Sequence, residues 1–227
     1  MTPVIGDNGW LFVGGWAAGG DAEAPIRAEP FDAVVKEFDA NQNGKLEAAE
    51  LKKGPIAERF SQVDFDKDGS ITRDEYERFR DLFEKGQNVL LAIRPGGQGD
   101  VTQTHVVWRH TKQVPFCASP LYHAGVLFVV KDGGFLASLD ALTGKLLKRD
   151  RLSSSGNYYS SPVLSDDRIY LLNERGRLTV VSAARDWQVL ANADFGEDTY
   201  ATPAIVDGRI YLRTAGHLYC FGTGASK

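Results

Sequence analysis

Two stretches of this sequence gather oxygen-bearing side chains at a spacing suited to a hard divalent cation. The first is Asp39-Ala40-Asn41-Gln42-Asn43-Gly44-Lys45-Leu46-Glu47-Ala48-Ala49-Glu50. The second is Asp64-Phe65-Asp66-Lys67-Asp68-Gly69-Ser70-Ile71-Thr72-Arg73-Asp74-Glu75. A Ca²⁺ ion takes about 6–8 oxygen ligands at roughly 2.3–2.6 Å, and a tight loop can aim alternate side chains at one point. Positions 1, 3 and 5 of each loop accordingly carry Asp or Asn. Position 6 turns sharply and needs the freedom of Gly44 or Gly69. Position 7 offers a backbone carbonyl, which makes Lys45 and Ser70 compatible there, and position 12 closes the shell with a bidentate glutamate. The expected ligand positions are therefore Asp39, Asn41, Asn43, Lys45, Glu47 and Glu50 in the first loop. In the second they are Asp64, Asp66, Asp68, Ser70, Thr72 and Glu75. Two Ca²⁺ sites are expected. Four carboxylates serve the second loop, whereas the first sets Asp39, Glu50 and Glu47 beside two neutral Asn. Ligand charge tunes affinity, so the second site is predicted to be the tighter.

The flanking residues fit helices that would position these loops. Pro30 opens a helix at no hydrogen-bonding cost, followed by the stripe Phe31, Val34, Val35 and Phe38. Pro55 opens another, with Ile56, Phe60 and Val63 at i, i+4 and i+7. Thr72 and Glu75 have the spacing of a capping box, and the helix beyond them presents Tyr76, Phe79 and Phe83. Gly54 is read as the stop of a helix leaving the first loop. Leu46 and Ile71 stand at position 8, where paired loops form a short two-strand contact. The whole pattern resembles a tandem EF-hand pair. Only 13 residues separate the loops, so each central helix has room for about two turns at 3.6 residues per turn. Calcium sensors that open do so over a Met-rich groove, yet the only methionine is Met1. A structural or buffering site is expected rather than a switch.

Charge sets this segment apart. Among 227 residues with 26 Lys/Arg and 30 Asp/Glu, the stretch Glu29–Gly86 holds 10 and 15 of them. The acidic excess therefore lies there, and no basic stripe remains to bind a nucleic-acid backbone. With 43% hydrophobic residues, the chain has material for a core. No apolar run approaches the roughly 20 residues of a membrane-spanning helix. Cys117 and Cys220 match no zinc or redox spacing.

Outside the acidic segment the sequence repeats. Thr2-Pro3, Ser119-Pro120, Ser161-Pro162 and Thr202-Pro203 each precede a short strand, a Gly/Asp turn and a second strand. Third strands follow at Leu136–Leu139, Leu178–Val181 and Leu218–Phe221. A period of roughly 40 residues holding four strands is the mark of propeller blades. The first repeat is longer because the EF-hand pair is inserted between its second strand and a third near Val89–Ile93. The insertion and the blade-to-blade connections should share one face, which bears Phe116, Tyr158, Tyr159, Asp198 and Tyr200. These are read first as loop anchors, with a ligand mouth as the sharper possibility.

The run Phe135-Leu136-Ala137-Ser138-Leu139-Asp140-Ala141-Leu142-Thr143-Gly144-Lys145 resembles the blade motif of pyrroloquinoline-quinone-like (PQQ-like) propellers. A degraded copy stands at Val181-Ser182-Ala183-Ala184-Arg185-Asp186-Trp187. The resemblance implies a mainly β, partial propeller of about four blades with an inserted α-helical EF-hand pair. The expected divisions are 1–16 for the start of blade 1, 17–87 for the insertion and 88–227 for the remainder. It also implies a bacterial, exported protein, periplasmic or secreted as part of a longer precursor, since no signal peptide opens this chain. The last blade lacks its outermost strand, and the chain reads as the C-terminal portion of a larger propeller, leaving strand edges open.

Such propellers include quinone-dependent dehydrogenases and non-enzymatic scaffolds. No vicinal cysteine pair or catalytic carboxylate can be matched here, so PQQ has no residue assigned to it. His105, His110, His123 and His217 show no ligand spacing and are read as lying on strands or turns. Gly96-Gly97-Gln98-Gly99 lacks the strand-to-helix setting of a phosphate cradle, and Asp166-Asp167 reads as a turn. The leading expectation is calcium binding on a non-catalytic scaffold for an unidentified protein or small-molecule ligand. A fragment of a quinone-dependent oxidoreductase is the alternative.

Overall fold

The computed structural model describes residues 1–17, 29–52 and 55–222. Gly54 lies outside them. The chain divides into two compact units, Met1–Trp16 with Asn88–Lys227, and Ala17–Gln87.

In chain order, β1 (Val4–Ile5) and β2 (Leu11–Gly15) come first. The second unit follows with α1 (Phe31–Phe38), β3 (Leu46–Glu47), α2 (Pro55–Glu58), α3 (Phe60–Val63), β4 (Ser70–Ile71) and α4 (Arg73–Glu84). Back in the first unit, β5 (Val89–Ile93), α5 (Thr102–His105) and β6 (Val106–His110) complete an antiparallel sheet of order β1-β2-β5-β6. A second sheet joins β7 (Leu121–His123), β8 (Val126–Lys131), β9 (Phe135–Asp140) and β10 (Leu146–Arg151). The third contains β11 (Val163–Ser165), β12 (Arg168–Leu172), β13 (Arg177–Ser182) and β14 (Val189–Asp194). The fourth has three strands, β15 (Ala204–Val206), β16 (Arg209–Arg213) and β17 (Leu218–Gly222). These four sheets are the expected blades, and the fold is mainly β.

Alternation along each strand turns one face to the preceding blade and the other to the next. Phe12, Leu90 and Ala92 of blade 1 meet Leu127, Val129 and Leu139 of blade 2. Val126, Phe128 and Val130 of blade 2 meet Ile169, Leu171 and Val181 of blade 3. Leu172 and Leu178 of blade 3 then pack with Leu212 and Tyr219 of blade 4. Burial of such faces, at about 25 cal/mol per Å² of apolar surface, is the main source of stability for a stack of sheets.

The sequence repeat has a structural job. Ser119 Oγ accepts a hydrogen bond from Thr2 N–H at 2.8 Å. Ser161 Oγ accepts from Ser119 N–H at 3.1 Å, and Thr202 Oγ1 from Ser161 N–H at 3.0 Å. The first three Ser/Thr-Pro pairs thus each pass a backbone N–H to the hydroxyl of the next blade, forming a ladder across all four.

The PQQ-like turn is equally explicable. Asp140 Oδ1 accepts from Thr143 N–H and Oγ1–H, at 3.1 and 2.9 Å. Gly144 has φ +69°, and a Cβ there would lie 2.7 Å from the Trp108 ring. Trp108 Nε1–H donates to Ala141 O at 2.9 Å, so the ring of blade 1 docks on the blade 2 turn. In the degraded copy the turn itself supplies the ring. Trp187 is buried, and Lys148 of blade 2 sits 4.4 Å above it while donating to its carbonyl.

Three local expectations are corrected. Ala48–Glu50 form turns and no helix follows through Lys52, because Pro55 leaves too few residues beyond the first loop to nucleate one. The second entering helix is broken at Arg59 into α2 and α3, each four residues long. The loop after Pro95 carries α5, which places His105 on a helix rather than on a strand or turn.

Candidate calcium centre

The two acidic loops share one backbone course. Gly44 and Gly69 have φ of +78° and +88°, and the preceding Gln42 and Lys67 both lie near +60°, at 61° and 60°. A side chain of L-configuration is strained there, so Gly at the sixth position is a conformational requirement. Asp39 accepts from the N–H groups of Asn43 and Gly44, and Asp64 from those of Asp68 and Gly69, at 2.8–3.2 Å. Asn41 and Asn43 cap the N–H two residues onward, as do Asp66 and Asp68.

Closing glutamates match as well. Glu50 accepts from the N–H groups of Ala40, Asn41 and Glu47. Glu75 accepts from Phe65, Asp66 and Thr72. Burial pushes the Glu75 carboxyl up, but the bonds from Thr72 and from the Asp66 and Phe65 N–H groups outweigh it, holding the group below the ordinary range. Glu50 is also held low, first by the Glu47 N–H. Both therefore favour the ionised form at position 12.

Local folding explains the placement. Thr72 and Glu75 form the full capping box at the start of α4, which fixes Glu75 across the loop. Leu46 pairs with Ile71 and Glu47 with Ser70, tying the loops back to back. Beneath them Leu46, Val63, Ile71 and Tyr76 are buried with Phe31 and Phe79. Tyr76 Oη–H donates to Glu29 O at 2.8 Å, and Arg73 pairs with Asp32 to join α4 to α1.

The loops differ in their donors. Carboxylate oxygens of Asp64, Asp66 and Asp68 all lie within 4.8 Å of one another. Three like charges held together by backbone N–H groups are an arrangement that a divalent cation relieves, and the donor set is of hard oxygens throughout. In the first loop Glu47 instead takes hydrogen bonds from the side-chain amides of Asn41 and Asn43, at 2.7 and 2.6 Å. One contact escaped sequence reasoning. Lys45 Nζ, at position 7 of the first loop, lies 3.6 Å from Asp68 and donates to Ser70 Oγ. Its backbone role was legible, but the reach of its side chain depends on the pairing of the loops.

On the propeller unit, Phe116, Tyr159 and Tyr200 come together with Trp16 in a row, with ring centroids 4.8, 6.3 and 5.3 Å apart in turn. Trp16, Phe116 and Tyr200 are exposed. Tyr158 is a buried anchor whose N–H donates to Asp132, and Asp198 O accepts from Ala215 N–H.

Residues 94–225, more than half of the chain, match the family model described as outer membrane protein assembly factor BamB. The chain belongs to this family. An EF-hand model matches residues 31–54 and again 56–79, one loop in each. A BamB relative from Shewanella oneidensis is 26% identical over 148 residues, covering 64% of this chain and 34% of the relative. The chain thus spans about a third of that relative's length. The structure of BamB from Moraxella catarrhalis aligns over 59% of this chain and 39% of its own, with a TM-score of 0.46 and 17% identity. A europium-containing methanol dehydrogenase aligns over 47% and 21%, with a TM-score of 0.36 and 18% identity. BamB membership accounts for the PQQ-like repeat; the EF-hand pair is matched separately.

Proposed function

We propose that this chain binds Ca²⁺ at two tandem EF-hand loops carried by a non-catalytic BamB-like propeller scaffold. The observation that carries the reading is the second loop, where carboxylate oxygens of Asp64, Asp66 and Asp68 converge. Asp39, Asn41, Asn43, Glu47 and Glu50 would serve the first site. Lys45 and Ser70 would contribute carbonyls, and Thr72 the ninth position of the second loop. The second site is the tighter, since it brings more carboxylates to one point.

The scaffold role is supported by the aromatic row Trp16, Phe116, Tyr159 and Tyr200, all but the half-buried Tyr159 exposed, aromatic residues being favoured at protein interfaces. Periplasmic placement and a protein partner are supported by the family's description as an outer membrane protein assembly factor. Isothermal titration of the full chain tests the calcium reading. Two binding events are expected, with Glu75→Gln losing more affinity than Glu50→Gln. No uptake at millimolar Ca²⁺ would overturn the reading, and a larger loss from the Glu50 change would overturn the ranking.

A further inference from the structure

Each connection that leads from one blade to the next carries an aromatic ring. Phe116 lies between β6 and β7, Tyr159 between β10 and β11, and Tyr200 between β14 and β15. Each stands three or four residues before the proline of its repeat. Trp16, which follows β2, extends the row at the Phe116 end. Neighbouring rings meet at steep angles, 80° between Phe116 and Tyr159 and 56° between Tyr159 and Tyr200. Rings set at such angles do not cover each other's faces as stacked ones would, and Phe116 and Tyr200 are 39% and 65% exposed. Blades in this chain cover one another through their sheet faces. The rings stand instead on connections beyond the strand ends, where an adjoining blade prolongs the row and does not roof it.

Two carboxylates are fixed at the middle of the row. Asp132, in the turn between β8 and β9, accepts a hydrogen bond from Tyr158 N–H at 2.9 Å. Glu174, in the turn between β12 and β13, accepts from the N–H and the side-chain amide of Asn157, at 3.2 and 3.1 Å. Both acids are half-buried. These donors are neutral, and among the described residues no ion pair offsets either charge. Both act on the ring between them in sequence. Burial first, and then the charges of Glu174 and Asp132, push the Tyr159 hydroxyl above its ordinary range. Electron-rich ring faces and fixed negative charge therefore share one surface, and a cation suits both.

The two features together select the kind of cation. A quaternary ammonium can face the rings but has no proton to give a carboxylate. A lysine ammonium is a compact, strongly hydrated point charge. A guanidinium is planar, weakly hydrated and forked, so it stacks on a ring and donates to a carboxylate at the same time. The chain already makes this arrangement once: Arg73 lies 4.8 Å above the Phe31 ring while it pairs with Asp32.

We propose that this surface binds an arginine-bearing segment of a protein partner, its guanidinium groups stacking on the rings of the row and donating to Asp132 and Glu174. The proposal rests on the scaffold role given to the row and names the chemistry of its partner.

Calorimetric titration of the full chain with capped pentapeptides tests this, using Gly-Arg-Gly-Arg-Gly and its glutamate and leucine counterparts. Calcium is kept in excess so that the acidic loops do not compete. The arginine peptide should bind and the glutamate peptide should not. Tyr200→Leu keeps apolar bulk but removes the ring, and Glu174→Gln keeps the hydrogen-bonding shape but removes the charge. Each should weaken binding about three- to tenfold, whereas Tyr200→Phe should leave it unchanged. Tyr200 is mostly exposed, so its variants should keep the far-UV circular dichroism of the parent. Choline, a cation without a proton to donate, should bind about tenfold more weakly or worse; equal binding overturns the choice of arginine. An arginine peptide that fails to bind at millimolar concentration overturns the proposal. So does one that binds every variant alike, because its attraction would then be to the acidic chain at large. If the leucine peptide alone binds, and Tyr200→Ala weakens it, the row remains an interface and only the arginine proposal falls.

Discussion

Lys45 shows how a residue with a plain backbone duty acquires a second one through its neighbours. Its carbonyl belongs to the first loop, while its amine lies 3.6 Å from Asp68 of the second. The Asp68 carboxyl is held low by the Ser70 hydroxyl and N–H, with Lys45 adding to them. A resident cation beside a cation site competes with the ion that the site would bind. Both side chains are more than two-fifths exposed, at 44% and 43%, so solvent screening keeps the effect small. Lys45→Met should therefore raise calcium affinity at the second loop by roughly two- to fivefold. Competition with a chelating dye measures it; an unchanged or weakened affinity would dismiss the coupling. Sequence reading located the two EF-hand loops because each residue type answers a local demand: Gly for positive φ, oxygen for a hard ion, Glu to cap and close. It missed the Lys45 contact because that contact depends on the two loops being paired.

At the level of elements, glycine separates two kinds of demand. Gly208 has φ +69° with nothing near its missing Cβ, whereas Gly176, at φ +71°, would place a Cβ 2.2 Å from Glu197 O. Gly208→Ala should cost about 1–2 kcal/mol, the penalty of left-handed backbone alone. Gly176→Ala should exceed it by on the order of 1–3 kcal/mol, since packed backbone must also move. Urea unfolding of the two variants makes the comparison, and equal costs would show that the loop yields freely. The Asp140 turn invites a test by pH. The Thr143 hydroxyl first, then Arg185, holds the Asp140 carboxyl below its ordinary range. A depressed folded pKa contributes stability above the unfolded value, about 3.9, and that contribution is lost as pH falls through the folded one. Asp140→Asn should thus flatten the acid limb of the stability profile below about pH 4 while lowering stability at neutral pH. A parallel downward shift at every pH would assign the loss to geometry instead. The Ser/Thr-Pro repeat was plain in the sequence, but its hydroxyl ladder was not, because each rung joins residues about 40 positions apart or more. The helix expected after the first loop failed for a local reason that was legible, Pro55, which had been credited with opening a helix and not with curtailing the one before.

For the molecule as a whole, the separate cores bear on how calcium acts. Phe31, Leu46, Val63, Ile71, Tyr76 and Phe79 form a core within residues 17–87. The clusters between blades draw only on the other unit. A ligand that binds only the native state stabilises what it binds, by about 2.7 kcal/mol at a hundredfold excess over Kd. In a unit of this size that corresponds to a rise of roughly 10–20 °C in Tm. Calorimetry of the full chain should show two transitions, of which calcium moves one. Glu75→Gln should abolish most of that movement and leave the other transition where it was. If both transitions rose together on adding calcium, the two cores would be thermodynamically coupled, and the EF-hand pair would act on the blades themselves. If neither moved while titration still showed binding, the loops would hold the ion without stabilising the helices around them. That result would contradict the role given to Glu75, whose single carboxylate joins the loop, the capping box and α4.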